Sequence, residues 1–229
     1  MLERRKKITK KQMKEDRLVT SYYNVKNFFL ENQAKILIGV AAVALVVVAV
    51  TLFMNKRASD NKVAAGLLAK VIPLYDSGAF KDAIDGQPSS NTMGLKKIVD
   101  EYGSTENGET AKIYLANAYS MLGNNDEAYK MFDDYSGSNP LFKATSLAGR
   151  GGVLESRKEY DKAADLYKDA AKVSKSNPEN ADYLLRAGVI LLNSGKKEEA
   201  KAVFDTIKKD YKTSAAFSEI DRYLIQIES

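Results

Sequence analysis

From Ile36 to Met54 the sequence reads ILIGVAAVALVVVAVTLFM, nineteen residues with no charge and with Thr51 as the single polar side chain. Folded as an α-helix at about 1.5 Å per residue, the run is roughly 28 Å long, close to the thickness of a bilayer's hydrocarbon core. A helix in a water-soluble core keeps one polar face, and this run has none over five turns. A cleaved signal peptide fits no better. Thirty-five residues precede the run, it exceeds an ordinary signal core, and Asn55-Lys56-Arg57 follow it where small residues would mark cleavage. One uncleaved transmembrane helix over 36–54 is therefore expected.

Of 229 residues carrying a formal net charge of +5, the first thirty-five hold ten Lys/Arg against four Asp/Glu. The rest of the chain is close to neutral, so the basic character belongs to the leader and the body is not expected to bind nucleic acid. Near the span Arg17, Lys26 and Lys35 are matched by Lys56, Arg57, Lys62 and Lys70. The leader as a whole carries the excess, and a short segment that basic resists translocation. The expected topology is single-pass at a bacterial inner membrane, with the N-terminus cytoplasmic and the body periplasmic. Cys, His and Trp are absent. Disulfides, thiolate nucleophiles, zinc sites and imidazole triads are thereby excluded, and a cysteine-free body suits an oxidising compartment. No convergent carboxylate pair is visible, so the chain is read as non-enzymatic, without metal, cofactor or small-molecule substrate.

The division expected is a basic, disordered or loosely helical leader over 1–21, a juxtamembrane amphipathic helix over 22–35, the span over 36–54, a linker helix with an irregular first repeat over 55–108, and repeats over 109–229 ending in a capping helix. Tyr22, Tyr23, Val25, Phe28 and Phe29 place aromatic rings next to the span, where headgroups accept them.

The body repeats itself. Gly123, Ala128 and Phe132 align with Lys158, Ala163 and Tyr167 and with Gly195, Ala200 and Phe204, with the same internal spacing each time. A period of this length is one supersecondary unit, here two helices and a turn. Ala116, Gly151 and Gly188 on the first helices and Ala128, Ala163 and Ala200 on the second let backbones approach, while the rings fill the gap to the next unit. The pattern resembles the tetratricopeptide repeat from residue 109 to about 212. Gly78 and Ala83, then Leu95 to Tyr102, echo it upstream around a loop at 85–91. The fold class expected is all-α, an N-terminal single transmembrane helix followed by a tetratricopeptide-like helical-hairpin solenoid.

Stacked helix pairs leave a concave groove lined by first helices. By the repeat register its lining is Ile113, Asn117, Ser120 and Met121, then Ala148, Gly152 and Glu155, then Leu185, Val189 and Leu192. Carboxylate-clamping members of the resembled family place Lys four residues before Asn; here Ile113 precedes Asn117, so that clamp is not expected. A mainly apolar lining is expected to take a hydrophobic partner segment.

The stretch Val25-Lys26-Asn27-Phe28-Phe29-Leu30-Glu31-Asn32 before the span resembles the YfgM family of ancillary Sec-translocon subunits. The resemblance implies membrane and translocon docking through Val25, Lys26, Phe28, Phe29, Glu31 and Asn32. It also implies SecYEG and a PpiD-type periplasmic chaperone as partners, and a role in handling exported proteins. The same architecture also fits an assembly or structural subunit of another inner-membrane or envelope complex.

Overall fold

The computed structural model describes residues 10–228. Apart from one short hairpin its regular elements are helices. The chain divides after Lys56 into two compact units, and one helix, α1 (Lys10–Asp76), begins in the first and ends in the second.

Within the first unit α1 exposes its apolar surface. Leu45 is 71% exposed and Ile38 70%, and none of the apolar stretch is buried. An uncharged helix of this length with an unburied surface is a candidate membrane span. Its one hydroxyl is satisfied locally, Thr51 Oγ1 donating to the Val47 carbonyl at 2.8 Å, which removes the need for water at that depth. Residues 10–21, expected as disordered or loosely helical leader, are helical, and no break separates them from 22–35 or from the span. The physical reason is local: from Lys10 to Ile38 there is neither Gly nor Pro, the residues at which helices usually break or kink. Residues 1–9 of the expected leader lie outside the described residues.

In the second unit α1 acquires one buried face, Ala64, Leu68 and Val71, at the four-then-three spacing of a packed helix. Leu68 and Val71 share a core with Ala83 and Ile84 of α2 (Phe80–Asp85), Leu95 and Ile98 of α3 (Leu95–Tyr102), and Leu115 of α4 (Glu106–Met121). The backbone N–H and side-chain amide of Asn107 donate to Asn61 Oδ1 at 2.8 and 2.9 Å and tie α1 to α4. The loop expected at 85–91 is an antiparallel hairpin, β1 (Gly86–Gln87) and β2 (Thr92–Met93), with a 3₁₀ turn between them. It splits the second helix of the first pair into α2 and α3.

Three regular pairs follow: α4 with α5 (Asn125–Asp133), α6 (Pro140–Ser156) with α7 (Tyr160–Lys172), and α8 (Asn180–Asn193) with α9 (Lys197–Asp210). Each helix packs on the next, and α10 (Ala215–Glu228) covers α8 and α9. The turns within pairs share one geometry. Asn124, Glu159 and Lys196 each donate their N–H to the carbonyl five residues back, at 2.9 Å, the six-to-one bond of a Schellman cap. The residue before each donor is left-handed: Gly123 at φ +76°, Gly195 at +79°, and Lys158 at +64°. Glycine adopts this conformation freely and lysine does not.

The repeated rings are interior, Phe132, Tyr167 and Phe204 being almost fully buried. A Cβ added at Gly188 would overlap the Phe204 ring, and one at Gly149 would overlap Phe132. The small residues therefore make room for rings. Phe204 in turn stacks on Tyr223 of α10 at 5.4 Å. One ionic cluster is also interior. Lys112 Nζ lies 3.0 Å from Glu109 Oε1 and 3.0 Å from Asp134 Oδ2, while the Ser136 N–H and hydroxyl both donate to Glu109 at 2.8 Å. This closes the end of α5 onto α4. Burial works to lower the Lys112 pKa; the hydrogen bonds and charges of Asp134 and Glu109 outweigh it, and the net shift is upward.

Candidate functional site

The first helices of the second and third regular pairs, α6 and α8, leave a cleft of about 600 Å³. Gly152, Glu155 and Ser156 line it from α6, and Arg186, Val189, Ile190 and Asn193 from α8. A neighbouring hollow of about 370 Å³ is lined by Ala148, Tyr167, Asp182, Tyr183 and Leu185. Arg186 borders both.

Its guanidinium sits 3.2 Å from Glu155 Oε2 and 3.4 Å from the Tyr167 hydroxyl, and 5.9 Å over the centre of the Tyr167 ring. The Tyr167 hydroxyl donates to Glu155 Oε2 at 3.3 Å. Burial pushes the Tyr167 phenol up, with Arg186 opposing and Glu155 assisting. Burial also raises the Tyr183 phenol, with Thr145 and Asn177 beside it opposing the shift. The Arg186 side chain nevertheless remains 63% exposed. A delocalised cation held over a ring, with apolar Val189 and Leu185 on the same helix, presents a surface that can take both a carboxylate and an aliphatic side chain.

Of the ten groove residues expected from the register, Ala148, Gly152, Glu155, Leu185 and Val189 gather here. Leu192 is half-buried against the core of α6 to α10. The four from α4 do not join the cleft. Ile113 is buried with Ala116, Phe132 and Val153, because it lies one turn from Ala116 and shares its inward face. Asn117 is half-buried beside the Tyr75 phenol, whose ring meets Tyr114 at 5.0 Å. Ser120 is half-buried, and Met121 is exposed at the end of α4. The lining is also more polar than expected. Asp182, Arg186, Val189 and Asn193 follow each other at spacings of four, three and four along α8. That is one helix face, and reading it would have found Arg186; the interior ring Tyr167 carried no such signal.

The second set of expected residues lies in the first unit. Val25, Phe28 and Phe29 are each more than half exposed on α1, Lys26 and Glu31 are exposed, and Asn32 donates to the Phe28 carbonyl at 3.0 Å. Among the described residues no group of three or more acidic, His or Cys side chains could hold a metal ion.

Two family models described as tetratricopeptide repeat match the chain, one over residues 115–175 and the other over 154–219. Residues 115–219 are tetratricopeptide repeats. These matches begin inside α4 and end inside α10, so they cover α5 to α9 and the whole of the cleft. The first helix pair, with its inserted hairpin, lies upstream of them. Tetratricopeptide repeats are protein-binding modules, and the concave side of stacked first helices is where such modules offer a surface. No curated protein and no solved structure shows a significant match to the chain.

Proposed function

We propose that the chain is a non-enzymatic scaffold, anchored in a bacterial inner membrane by residues 36–54, that docks partner proteins in the α6–α8 cleft of its tetratricopeptide repeats. The observation that carries this reading is Arg186, exposed at the meeting point of two hollows and held by Glu155 and Tyr167. In the same reading the N-terminus is cytoplasmic and the repeats are periplasmic, as the ten cations before the span favour. The resemblance at Val25–Asn32 supports a place beside the Sec translocon, with SecYEG and a PpiD-type chaperone as partners and exported chains as clients. Within this proposal Val25, Lys26, Phe28, Phe29, Glu31 and Asn32 dock at the membrane complex.

The test is affinity purification of the full chain after mild detergent extraction, with Arg186→Glu alongside. Recovery of translocon components with both chains, and loss from the variant of the partner protein held by the repeats, is the expected result. Recovery of a different envelope complex would favour a structural subunit of that complex. Protease added to intact spheroplasts should digest the chain beyond about residue 60; protection of the repeats would reverse the topology.

A further inference from the structure

The helix ahead of the span carries an apolar face with nothing in the first unit to cover it. Tyr22, Val25, Phe29 and Ile36 fall within about 60° of one another at 100° per residue, and Tyr22 is 64%, Val25 56% and Phe29 53% exposed. Asn24, Asn27 and Glu31 hold the opposite side of the helix. The bilayer cannot take up this face. Because α1 is uninterrupted from Lys10, Tyr22 stands roughly 21 Å along the helix from Ile36, while the headgroup layer adds only about 5 to 8 Å on each side. With residues 36–54 as the span, a ring at the height of Tyr22 lies in water, beyond the headgroup depth expected from the aromatic residues alone.

We infer that the occupant is a second copy of this chain, paired in parallel along Tyr22, Val25, Phe29, Asn32 and Ile36. Four features of the sequence and of α1 favour it over an unrelated helix. The spacing of these residues is three, four, three, four, the seam of a two-stranded left-handed coil. Asn32 is the one amide in that seam; its Nδ2 donates to the Phe28 carbonyl at 3.0 Å, and across the seam it is matched by the same amide on an identical, in-register neighbour. In a parallel pair the flanking positions bring Ser21 opposite Lys26, Phe28 opposite Gln33, and Lys35 opposite Val40, so no two like charges meet. Finally, the span itself sets depth and direction: two copies inserted the same way are parallel and in register before they touch. The seam continues into the bilayer as Gly39, Val43 and Val46. The inference rests on residues 36–54 spanning the membrane and is independent of what the repeats bind; it takes Val25, Phe29 and Asn32 for the pairing and leaves Lys26, Phe28 and Glu31, off the seam, to face the membrane complex.

The chain has no cysteine, so single substitutions report contacts cleanly. The full-length protein carrying Tyr22→Cys, Val25→Cys or Phe29→Cys, or Asn24→Cys, Asn27→Cys or Glu31→Cys, is reconstituted in phosphatidylglycerol–phosphatidylethanolamine liposomes and oxidised with copper phenanthroline. Seam positions should give disulfide-linked dimer in several-fold higher yield than opposite positions, and the yield should persist as lipid is added in excess. Phe29→Asp in the Val25→Cys chain should lower its yield to that of the opposite face while the protein still floats with the liposomes. Equal yields on both faces, or yields that fall with lipid dilution, would overturn the pairing. So would crosslinks in native membranes that join the seam only to other proteins. A chain that does not float with lipid would overturn the span and the seam together, which separates that failure from failure of the pairing alone.

Discussion

Two ionic clusters join neighbouring helices of the repeats at nearly the same distances and do opposite jobs. Lys112 and Glu109 meet at 3.0 Å with side chains 9% and 8% exposed. Arg186 and Glu155 meet at 3.2 Å with side chains 63% and 35% exposed. In the first, both Glu109 oxygens accept from donors within the fold, Lys112 and the hydroxyl and backbone N–H of Ser136. The second is open on the cleft. Burial, rather than distance, decides whether a charge serves the fold or a partner: a buried ion stripped of its mate is costly, an exposed one is rehydrated.

The largest expected effect follows on the buried side. Lys112→Ala leaves Glu109 buried without a cation and should cost about 3–5 kcal/mol, read as a lower urea midpoint of the full chain in detergent. Lys112→Met with Glu109→Leu, which removes both charges, should cost less than the single change, because no orphaned ion remains. The pair also has a pH signature. The folded-state pKa of Lys112 is raised, so its contribution is complete below the unfolded lysine value of about 10.5 and is lost as pH rises through the higher folded value. Alkaline titration of wild type against the double variant should show that loss only in the wild type. A steeper loss in the variant would break the comparison.

Next is the packing that holds α8, and with it Arg186, in place. Gly188→Ala puts a methyl group into the Phe204 ring; Phe204 is fully buried and backed by Tyr223, so it has little room to yield. A loss of about 1–3 kcal/mol is expected. Gly188→Ala with Phe204→Leu should recover part of it. An unchanged midpoint for the single variant would show that the ring can move.

The turns give a smaller effect of opposite sign. Lys158 holds the left-handed position that Gly123 and Gly195 hold in the sister repeats. A left-handed lysine costs about 1–2 kcal/mol, and glycine loses about 0.4–1 kcal/mol of this through its freer unfolded chain. Lys158→Gly should therefore raise stability by about 0.5–1 kcal/mol, and Lys158→Ala, which keeps the Cβ, should not.

Much of this was legible before any coordinates. The spacing of Gly123, Ala128 and Phe132 recurs because each unit must repeat its turn and its ring to stack, and the same turns and buried rings are found. The run at 36–54 was legible as a candidate span because nineteen residues without a charge or a polar face need no coordinates to be counted. Less legible was whatever depends on which of two interior faces a residue takes. α4 is covered both by α1 and α3 and by α5 and α6, so Ile113, assigned to the groove by register, turns inward beside Ala116. Asn117 was assigned to the same groove, but the end of α1 reaches it with Tyr75. The hairpin at 86–93 leaves only its Gly and Pro as a trace, and Arg186 falls outside the repeated pattern of small residues and rings. A leader over 1–21 was set apart from the helix at 22–35 because it is charged and lacks an apolar face; from Lys10 the two are one helix, and Lys, Gln, Glu, Leu and Met are all good helix formers.

The smallest expected change in stability carries the most about function. Arg186→Ala removes an ion pair that is more than half exposed on its cationic side, and such pairs are worth about 0–1 kcal/mol. Tyr167 keeps its contact with Glu155 and its place in the core, so the urea midpoint should move little. Binding should behave differently. If the cleft recognises a partner through this guanidinium, Arg186→Ala should lower partner recovery sharply, and Arg186→Lys should restore charge without the planar stacking on Tyr167, giving partial recovery. Lys112→Met, placed on the other side of the comparison, should act in reverse, lowering stability while the folded fraction still binds. A partner that is held equally by wild type and Arg186→Ala would move the binding surface away from α6 and α8 and leave the open cluster as no more than a surface ion pair.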